Sequence, residues 1–462
     1  MARWHPFRAL LVLLFVFFVF QSPVSKKYPA MSLEPNMMNV AKDSLRIDQT
    51  RLRADFEALA QIGATRDGGV HRPALGEAHL AARAWFRERA EADGLGFRTD
   101  GAGNHSACLA CGPPGAPILL LGSHLDSVPR GGRYDGALGV LAALEVLRVV
   151  QETGLALPVH LEAIDFTDEE GTLVGLLGSA ALAGTLDPDE LRQPRGGREV
   201  LAAGFARAGL TDESVLGVRR DPATLAGYLE LHVEQGARLV DAGVDVGVVT
   251  GIVGYCSYRL TFTGQANHAG TTSMAERADA AQGACAFTLR ARELVMADYA
   301  GGVVNVGDMH FSPGAYNIIP GAVALALEFR SPEAETLDRL EADLLALARE
   351  QAATFGLGLE VAWQGRCEPA LLDARVQSLI AQAADGLGLS HVSLPSGAGH
   401  DAQSLARVCP AGMLFVPSVG GVSHSPDEFT RWADCVNGAN VLLQTVLRWA
   451  RLDSNANLTD EY

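Results

Sequence analysis

The chain has 462 residues and a formal net charge of −17, and its only lysines are Lys26, Lys27 and Lys42. With 48% hydrophobic and 20% charged residues it is a folded protein rather than a disordered one, and its length calls for two domains. The acid excess and the lack of a basic stripe exclude a nucleic-acid partner. At the N-terminus, Arg3 and Arg8 precede an apolar run from Ala9 to Phe20, which is of signal-peptide length and short for a bilayer span. The Gln-Ser-Pro-Val-Ser-Lys-Lys stretch after it is a poor cleavage site. Residues 1–40 therefore have three readings: a signal peptide, a membrane-proximal anchor, or an untranslated extension with synthesis starting at Met31, Met37 or Met38. The last is preferred, with a cytoplasmic location; secretion or membrane anchoring stays open. The seven cysteines are an odd count in a long chain, which reads as reduced thiols, and Cys108-Leu-Ala-Cys111 reads as packing residues because no second such pair exists.

Helical spacing begins near Ser44 (Leu52, Phe56, Leu59, Ile62), and a second helix covers about Gly76 to Ala92. Alternation follows: an apolar strand from Ile118 to Leu121, a helix from Ala137 to Val150, and strands over Val159–Phe166 and Gly227–Val233. The pattern resumes with a helix from Leu371 to Leu387, a strand from Met413 to Val416 and a final helix to Arg451. Strands separated by helices predict an α/β fold with a doubly wound catalytic domain. Between the two halves, strands at Tyr258–Phe262, Val303–Val306, Val323–Phe329 and Leu357–Val361 and helices at Ala275–Met296 and Glu333–Glu350 follow the order β-α-β-β-α-β. That is a ferredoxin-like unit inserted into the larger domain. The expected boundaries are 41–250 and 367–452 for the catalytic domain, 251–366 for the insert and 453–462 for a tail.

Acidic and histidine residues recur where these strands end, which is where open α/β sheets keep their ligand sites. His124 follows the first strand in Gly-Ser-His-Leu-Asp-Ser, with Asp126 placed to accept a hydrogen bond from its second ring nitrogen. Asp135 lies in Gly-Gly-Arg-Tyr-Asp-Gly just before a helix. Glu169 and Glu170 are adjacent after the next strand, so one can bind metal while the other faces water. By period-two alternation His232 points away from Leu231 and Val233. His424 follows the last strand. Each feature alone has an ordinary structural explanation in turns, helix starts or satisfied histidines. Their recurrence at five element ends of one alternating domain points instead to metal-assisted hydrolysis.

The stretches GSHLDSVPRGGRYDGALGV, DFTDEEGT, ELHVEQG, NHAGTTSM, NIIPG, SGAGHDA and GVSHSPDE, spread from about Ser44 to Trp449, resemble the M20 hydantoinase/carbamoylase amidases. That family includes N-carbamoyl-amino-acid hydrolases, allantoate amidohydrolases and β-ureidopropionases. The resemblance implies two divalent ions per subunit: zinc, with manganese, cobalt and nickel as alternatives. It puts His124 and His232 on opposite metals, with Asp135 bridging, Glu170 a terminal ligand, His424 completing the second ion and Glu169 the general base. It further implies that His268 stabilises the oxyanion from a partner subunit, that Gln235, Asn317 and Arg330 contact substrate, and that backbone at Gly397 and Gly399 lies near its carboxylate.

The implied protein is a homodimer through its insert, acting on a small ureido or amide substrate that carries a carboxylate. An M20 dipeptidase or aminoacylase is the alternative. A non-catalytic relative is disfavoured, because every ligand position and Glu169 are filled. Three departures from the family pattern stand out: Ser273 in place of a proline, Leu173-Val174 in place of Arg-Phe, which bears on the pocket wall, and the Cys108–Cys111 loop in place of a Gly-Arg pair.

Overall fold

The computed structural model describes residues 44–456, so the readings of residues 1–40 lie outside the described residues. Nine strands form one mixed sheet, in the order Gly96–Thr99, His105–Leu109, His160–Phe166, Ile118–His124, Leu225–Val233, Ala411–Val416, Val246–Ile252 and Ala370–Leu371. His391–Ser396 pairs with Val246–Ile252 off this path. The four strands from His160–Phe166 to Ala411–Val416 are mutually parallel. Antiparallel pairs flank them on both sides. The expected parallel arrangement therefore holds at the centre only. The flanking Gly96–Thr99 and His105–Leu109 pair is too short and too mixed in polarity to carry an apolar-run signal.

Side-chain alternation sorts the core into two layers. Leu119, Leu121, Leu229, Leu231, Val233, Leu414 and Val416 face the long helices Gln49–Leu59, Glu77–Ala92, Ala137–Thr153, Ala374–Leu387 and Trp432–Ala456. Leu120, Ile164, Phe166, Tyr228, Met413 and Phe415 face the other side, against Leu182, Leu239, Ala402 and Leu405 of shorter helices. Every residue from Ala137 to Val150 is buried, and its two charged members, Glu145 and Arg148, are paired with Arg51, Asp55 and Asp93 rather than solvated. The last helix, Trp432–Ala456, runs past residue 452 into the expected tail. No helix among the described residues is long and apolar enough to cross a membrane.

The segment between the two halves builds a separate four-stranded antiparallel sheet, in the order Gly358–Cys367, Gly254–Thr263, Ala322–Ser331, Val303–Ser312. Cys256, Tyr258, Leu260, Phe262, Val323, Leu325, Leu327 and Phe329 point to one face, where helices Ala280–Asp298 and Ala334–Thr354 cover them. The intervening residues, Glu328 and Arg330 among them, point to the opposite face. The first of these helices starts later than its periodicity predicts. Met274–Glu276 forms a 3₁₀ turn instead, and the Asp279 carboxylate caps the helix by accepting from the N–H of Ala281.

Beneath the large sheet's C-terminal edge lies a buried charged network. Arg83 donates to Asp165 Oδ2 at 2.7 Å, to the carbonyls of Gly103 and Phe166, and to Thr167 Oγ1. Asp165 Oδ1 in turn accepts from the N–H of Leu125, fixing the backbone just after His124. Two histidines near Arg83 are held neutral. Burial, then the neighbouring charges of Arg83 and Arg72, holds His79 well below its ordinary range. Burial and Arg83 push His105 down to about 3.

Unfolded imidazoles take up a proton near pH 6.5, whereas these two do not while folded. Their contribution is therefore complete above about pH 6.5 and is lost as pH falls from there, for His105 toward pH 3. Each group adds a slope of up to about 1.4 kcal/mol per pH unit. The melting temperature should thus fall between pH 7 and pH 5, and His105→Phe should flatten that fall. Parallel calorimetric curves for the two proteins would refute this account.

Candidate metal centre

The strands Ile118–His124 and Leu225–Val233 are parallel neighbours. Their ends therefore deliver His124 and His232 side by side, with ring centroids 5.9 Å apart. Each ring is oriented by a main-chain carbonyl. His124 Nδ1 donates to Asp126 O at 3.1 Å and His232 Nδ1 to Val233 O at 2.9 Å, which leaves the Nε2 lone pair as the available donor to a cation in both; His232 Nε2 accepts from the N–H of Gly136 at 3.3 Å.

Asp135 enters between them from the loop ahead of helix Ala137–Thr153. At Gly136, φ is +62°, and a Cβ would lie 2.4 Å from His124 O, so glycine is required there. Asp135 Oδ1 is 3.5 Å from His124 Nε2 and 3.0 Å from His232 Nε2. Its Oδ2 is 3.4 Å from His424 Nε2, and Glu170 Oε2 is also 3.4 Å from that nitrogen. Two groups able to hold a cation result, His124–Asp135–His232 and Asp135–Glu170–His424, with Asp135 common to both. The expectation that His124 and His232 serve opposite metals is therefore corrected. Adjacent strands put both beside the same Asp135 oxygen.

A third group, Glu230, His232 and His400, is already satisfied in part. Glu230 accepts from Ser123 Oγ at 2.8 Å and from the N–H of Ala402 at 3.0 Å, and His400 Nε2 pairs with Ser396 Oγ at 2.9 Å.

The donor set fits divalent cations. His124 Nε2, Asp135 Oδ1 and Gln235 Oε1 are buried without a hydrogen-bond partner, a costly state unless something else binds them. The charges agree. Burial opposes a charged His124, yet Glu169, Asp135 and Asp126 hold it well above its ordinary value. Burial, together with Asp401, Glu170 and Asp135, pushes Glu169 well up against the pull of His124. Glu170 is raised well above the carboxylate range by burial and by Asp135. So many buried carboxylates with so little positive charge nearby favour a cation. Glu169 differs from its neighbour in position. Its Oε2 lies 3.5 Å from His124 Nε2, but it belongs to neither three-residue group.

Asp126 acts differently from the expectation. Its main-chain carbonyl, not its carboxylate, accepts the hydrogen bond from His124 Nδ1–H. The carboxylate accepts from the N–H groups of Glu169 and Glu170, at 3.3 Å each. Asp168 was not singled out in the sequence, although it shapes the same turn. Buried and left-handed at φ +57°, it accepts from the N–H groups of Leu173, Val174 and Gly175. Leu173 and Val174 belong to a buried cluster with Ala74, Leu75 and Leu177, so they are core residues rather than pocket wall. Gln235 and His424 also have positive φ, 60° and 53°, so backbone strain gathers around the cluster. Gln235 Nε2 donates to Asp135 Oδ2 at 3.0 Å, which sets this residue beside the two donor groups.

The residues of the four-stranded segment stand apart from the cluster. His268 is exposed, and its Nδ1 accepts from the N–H groups of Gly270 and Thr271, leaving Nε2–H as a donor. Asn317 is exposed, and its carbonyl accepts from the N–H of Ala269. Arg330 donates to Glu328 through Nε and Nη2 and to the carbonyl of Gly397 at 2.8 Å. That bond brings the segment's outer face to the 397–399 loop; Gly397 and Gly399 are both exposed. Cys111 donates to Val159 O, and burial pushes the Cys108 thiol up to about 11, which keeps it protonated.

The chain belongs to the peptidase family M20/M25/M40, whose sequence profile matches residues 120–448. Within that family it is 37% identical, over 88% of its length and 99% of the relative's, to an N-carbamoyl-L-amino acid amidohydrolase of Geobacillus stearothermophilus. It is 34% identical to an allantoate amidohydrolase of Bacillus subtilis, covering 86% of this chain and 96% of that one. A solved hydantoinase/carbamoylase family amidase from Burkholderia multivorans superimposes with a TM-score of 0.80 at 33% identity, over 88% of this chain and 99% of that one.

Proposed function

We propose that this protein is a dinuclear metal-dependent amidohydrolase that cleaves a linear C–N bond of an N-carbamoyl amino acid or a related ureido acid, such as allantoate or N-carbamoyl-β-alanine. The observation that carries this reading is the pair of three-residue donor groups sharing Asp135, with Glu169 beside them but outside both. His124, His232 and Asp135 would hold one ion, and Glu170, His424 and Asp135 the other; zinc suits these donors, as do manganese, cobalt and nickel. Divalent ions, when bound, supply Lewis-acid polarisation and acidify water.

Glu169 removes the proton of the attacking water and returns it to the leaving nitrogen. His268 donates its Nε2–H to the oxyanion that develops. Arg330, with Asn317 and Gln235, grips the substrate carboxylate, and backbone groups at Gly397 and Gly399 complete that contact. A carbamoyl substrate would yield an amino acid, ammonia and carbon dioxide. The catalytic domain would comprise 41–250 and 367–452, with 251–366 as a ferredoxin-like lid through which two copies pair.

The test is to strip the protein with chelator, reload it with each metal, and follow ammonia release. The panel is N-carbamoyl amino acids, allantoate, N-carbamoyl-β-alanine, dipeptides and N-acyl amino acids. Activity on ureido acids should vanish on chelation and return with metal. Turnover that survives exhaustive chelation would refute the reading. Preference for dipeptides or N-acyl amino acids would move the chain to the dipeptidase or aminoacylase branch.

A further inference from the structure

Glu428 is 3% exposed, and three donors from two different ligand-bearing loops converge on its carboxylate. Oε1 accepts from the N–H of Tyr134 at 3.0 Å and from the N–H of Asp135 at 3.1 Å. Oε2 accepts from Ser423 Oγ at 2.8 Å, and that hydroxyl also lies 3.4 Å from Asp135 Oδ2. The Glu428 N–H closes the loop by donating to Ser425 O at 3.0 Å. Between Ser423 and Ser425 sits His424, at φ +53°. A left-handed conformation at a residue with a side chain persists only where its surroundings hold it. The space is reserved as well, since a Cβ on Gly132 would lie 2.1 Å from the Glu428 carboxyl.

From this juxtaposition we infer that Glu428 is a positioning residue, a carboxylate clamp that ties the backbone of Asp135 to the strained loop of His424 and so sets their separation. This rests on the metal-centre reading above. Asp135 and His424 are far apart in the chain, so no local chain geometry fixes their spacing. The group that depends on it most is Asp135–Glu170–His424, because the other keeps both of its histidines on sheet strands.

The experiment is a Zn²⁺ titration of chelator-stripped protein against a chromophoric competitor, with melting temperatures recorded metal-free and metal-loaded. Wild type should bind two equivalents. Glu428→Ala should weaken one of them about 10–100-fold, the usual effect of removing a group that orients a ligand. Glu428→Gln, which keeps an oxygen for the Tyr134 and Asp135 N–H groups, should restore most of the affinity. Ser423→Ala, which removes one of the three donors to Glu428 together with the longer contact to Asp135 Oδ2 and tests the clamp if Glu428→Ala fails to fold, should show a smaller loss at the same equivalent. Wild-type affinity in both Glu428→Ala and Ser423→Ala would overturn the clamp and leave the metal centre standing. A wild type that binds no Zn²⁺ would overturn both. Equal weakening of both equivalents, unrelieved by glutamine, would make Glu428 a general prop of the fold and would also reject the clamp.

Discussion

Glu169→Gln should keep its metal and lose about 10²–10⁴-fold in kcat, the contribution typical of a general base. The two adjacent glutamates separate by position. Glu170 Oε2 meets His424 within a three-residue donor group, whereas Glu169 Oε2 approaches only His124, at 3.5 Å. Glutamine preserves the shape of the side chain and removes its ability to take a proton, so the loss should fall on kcat with little change in KM. His124→Ala provides the contrast. It deletes a member of the His124–Asp135–His232 donor group whose ring is already oriented by Asp126 O, and the metal proposed for that group should be lost. Elemental analysis beside steady-state kinetics checks both. A Glu169→Gln protein that comes out metal-free would make Glu169 a ligand, and one with wild-type kcat would remove it from catalysis.

The parts of this architecture with strong local signals were legible in the sequence. Ile118–His124 and Ala411–Val416 are apolar strands buried on both faces, and the helix at Ala137–Thr153 is apolar through its first two turns. The glycines around Asp135 mark a loop that must turn tightly against His124, as the contact at Gly136 bears out. What failed depends on which strands are neighbours. Nothing in the local sequence says that Leu225–Val233 lies directly beside Ile118–His124, so the placement of His124 and His232 beside one Asp135 oxygen is legible only in the fold. Asp168 and Glu428 were passed over for a related reason. Each looks like a solvated loop acid until the chain folds and backbone N–H groups close on it, from its own turn at Asp168 and from the distant Asp135 loop at Glu428. The helices Leu177–Ala183, Pro188–Arg192 and Asp212–Leu216 give too few turns for periodicity to register.

Mixing two inactive proteins should restore activity. On the proposed roles, His268→Ala would lack the oxyanion donor and Glu169→Gln the base, so each alone should be nearly inactive. The segment that carries His268, Asn317 and Arg330 contributes no member to either donor group. His268 Nδ1 is occupied by two backbone N–H groups, which leaves Nε2–H pointing outward from an exposed loop as a donor for a site elsewhere. If two copies pair through this segment and each lends His268 to the other, a mixed dimer has one site with both groups intact and one with neither. Random re-association makes half of the dimers mixed, so roughly a quarter of wild-type activity should return. In the opposite arrangement, with His268 serving its own subunit, every site in the mixture is defective in one group or the other. No recovery, with mixed dimers confirmed by native mass spectrometry, would therefore place His268 in its own subunit's site or outside catalysis.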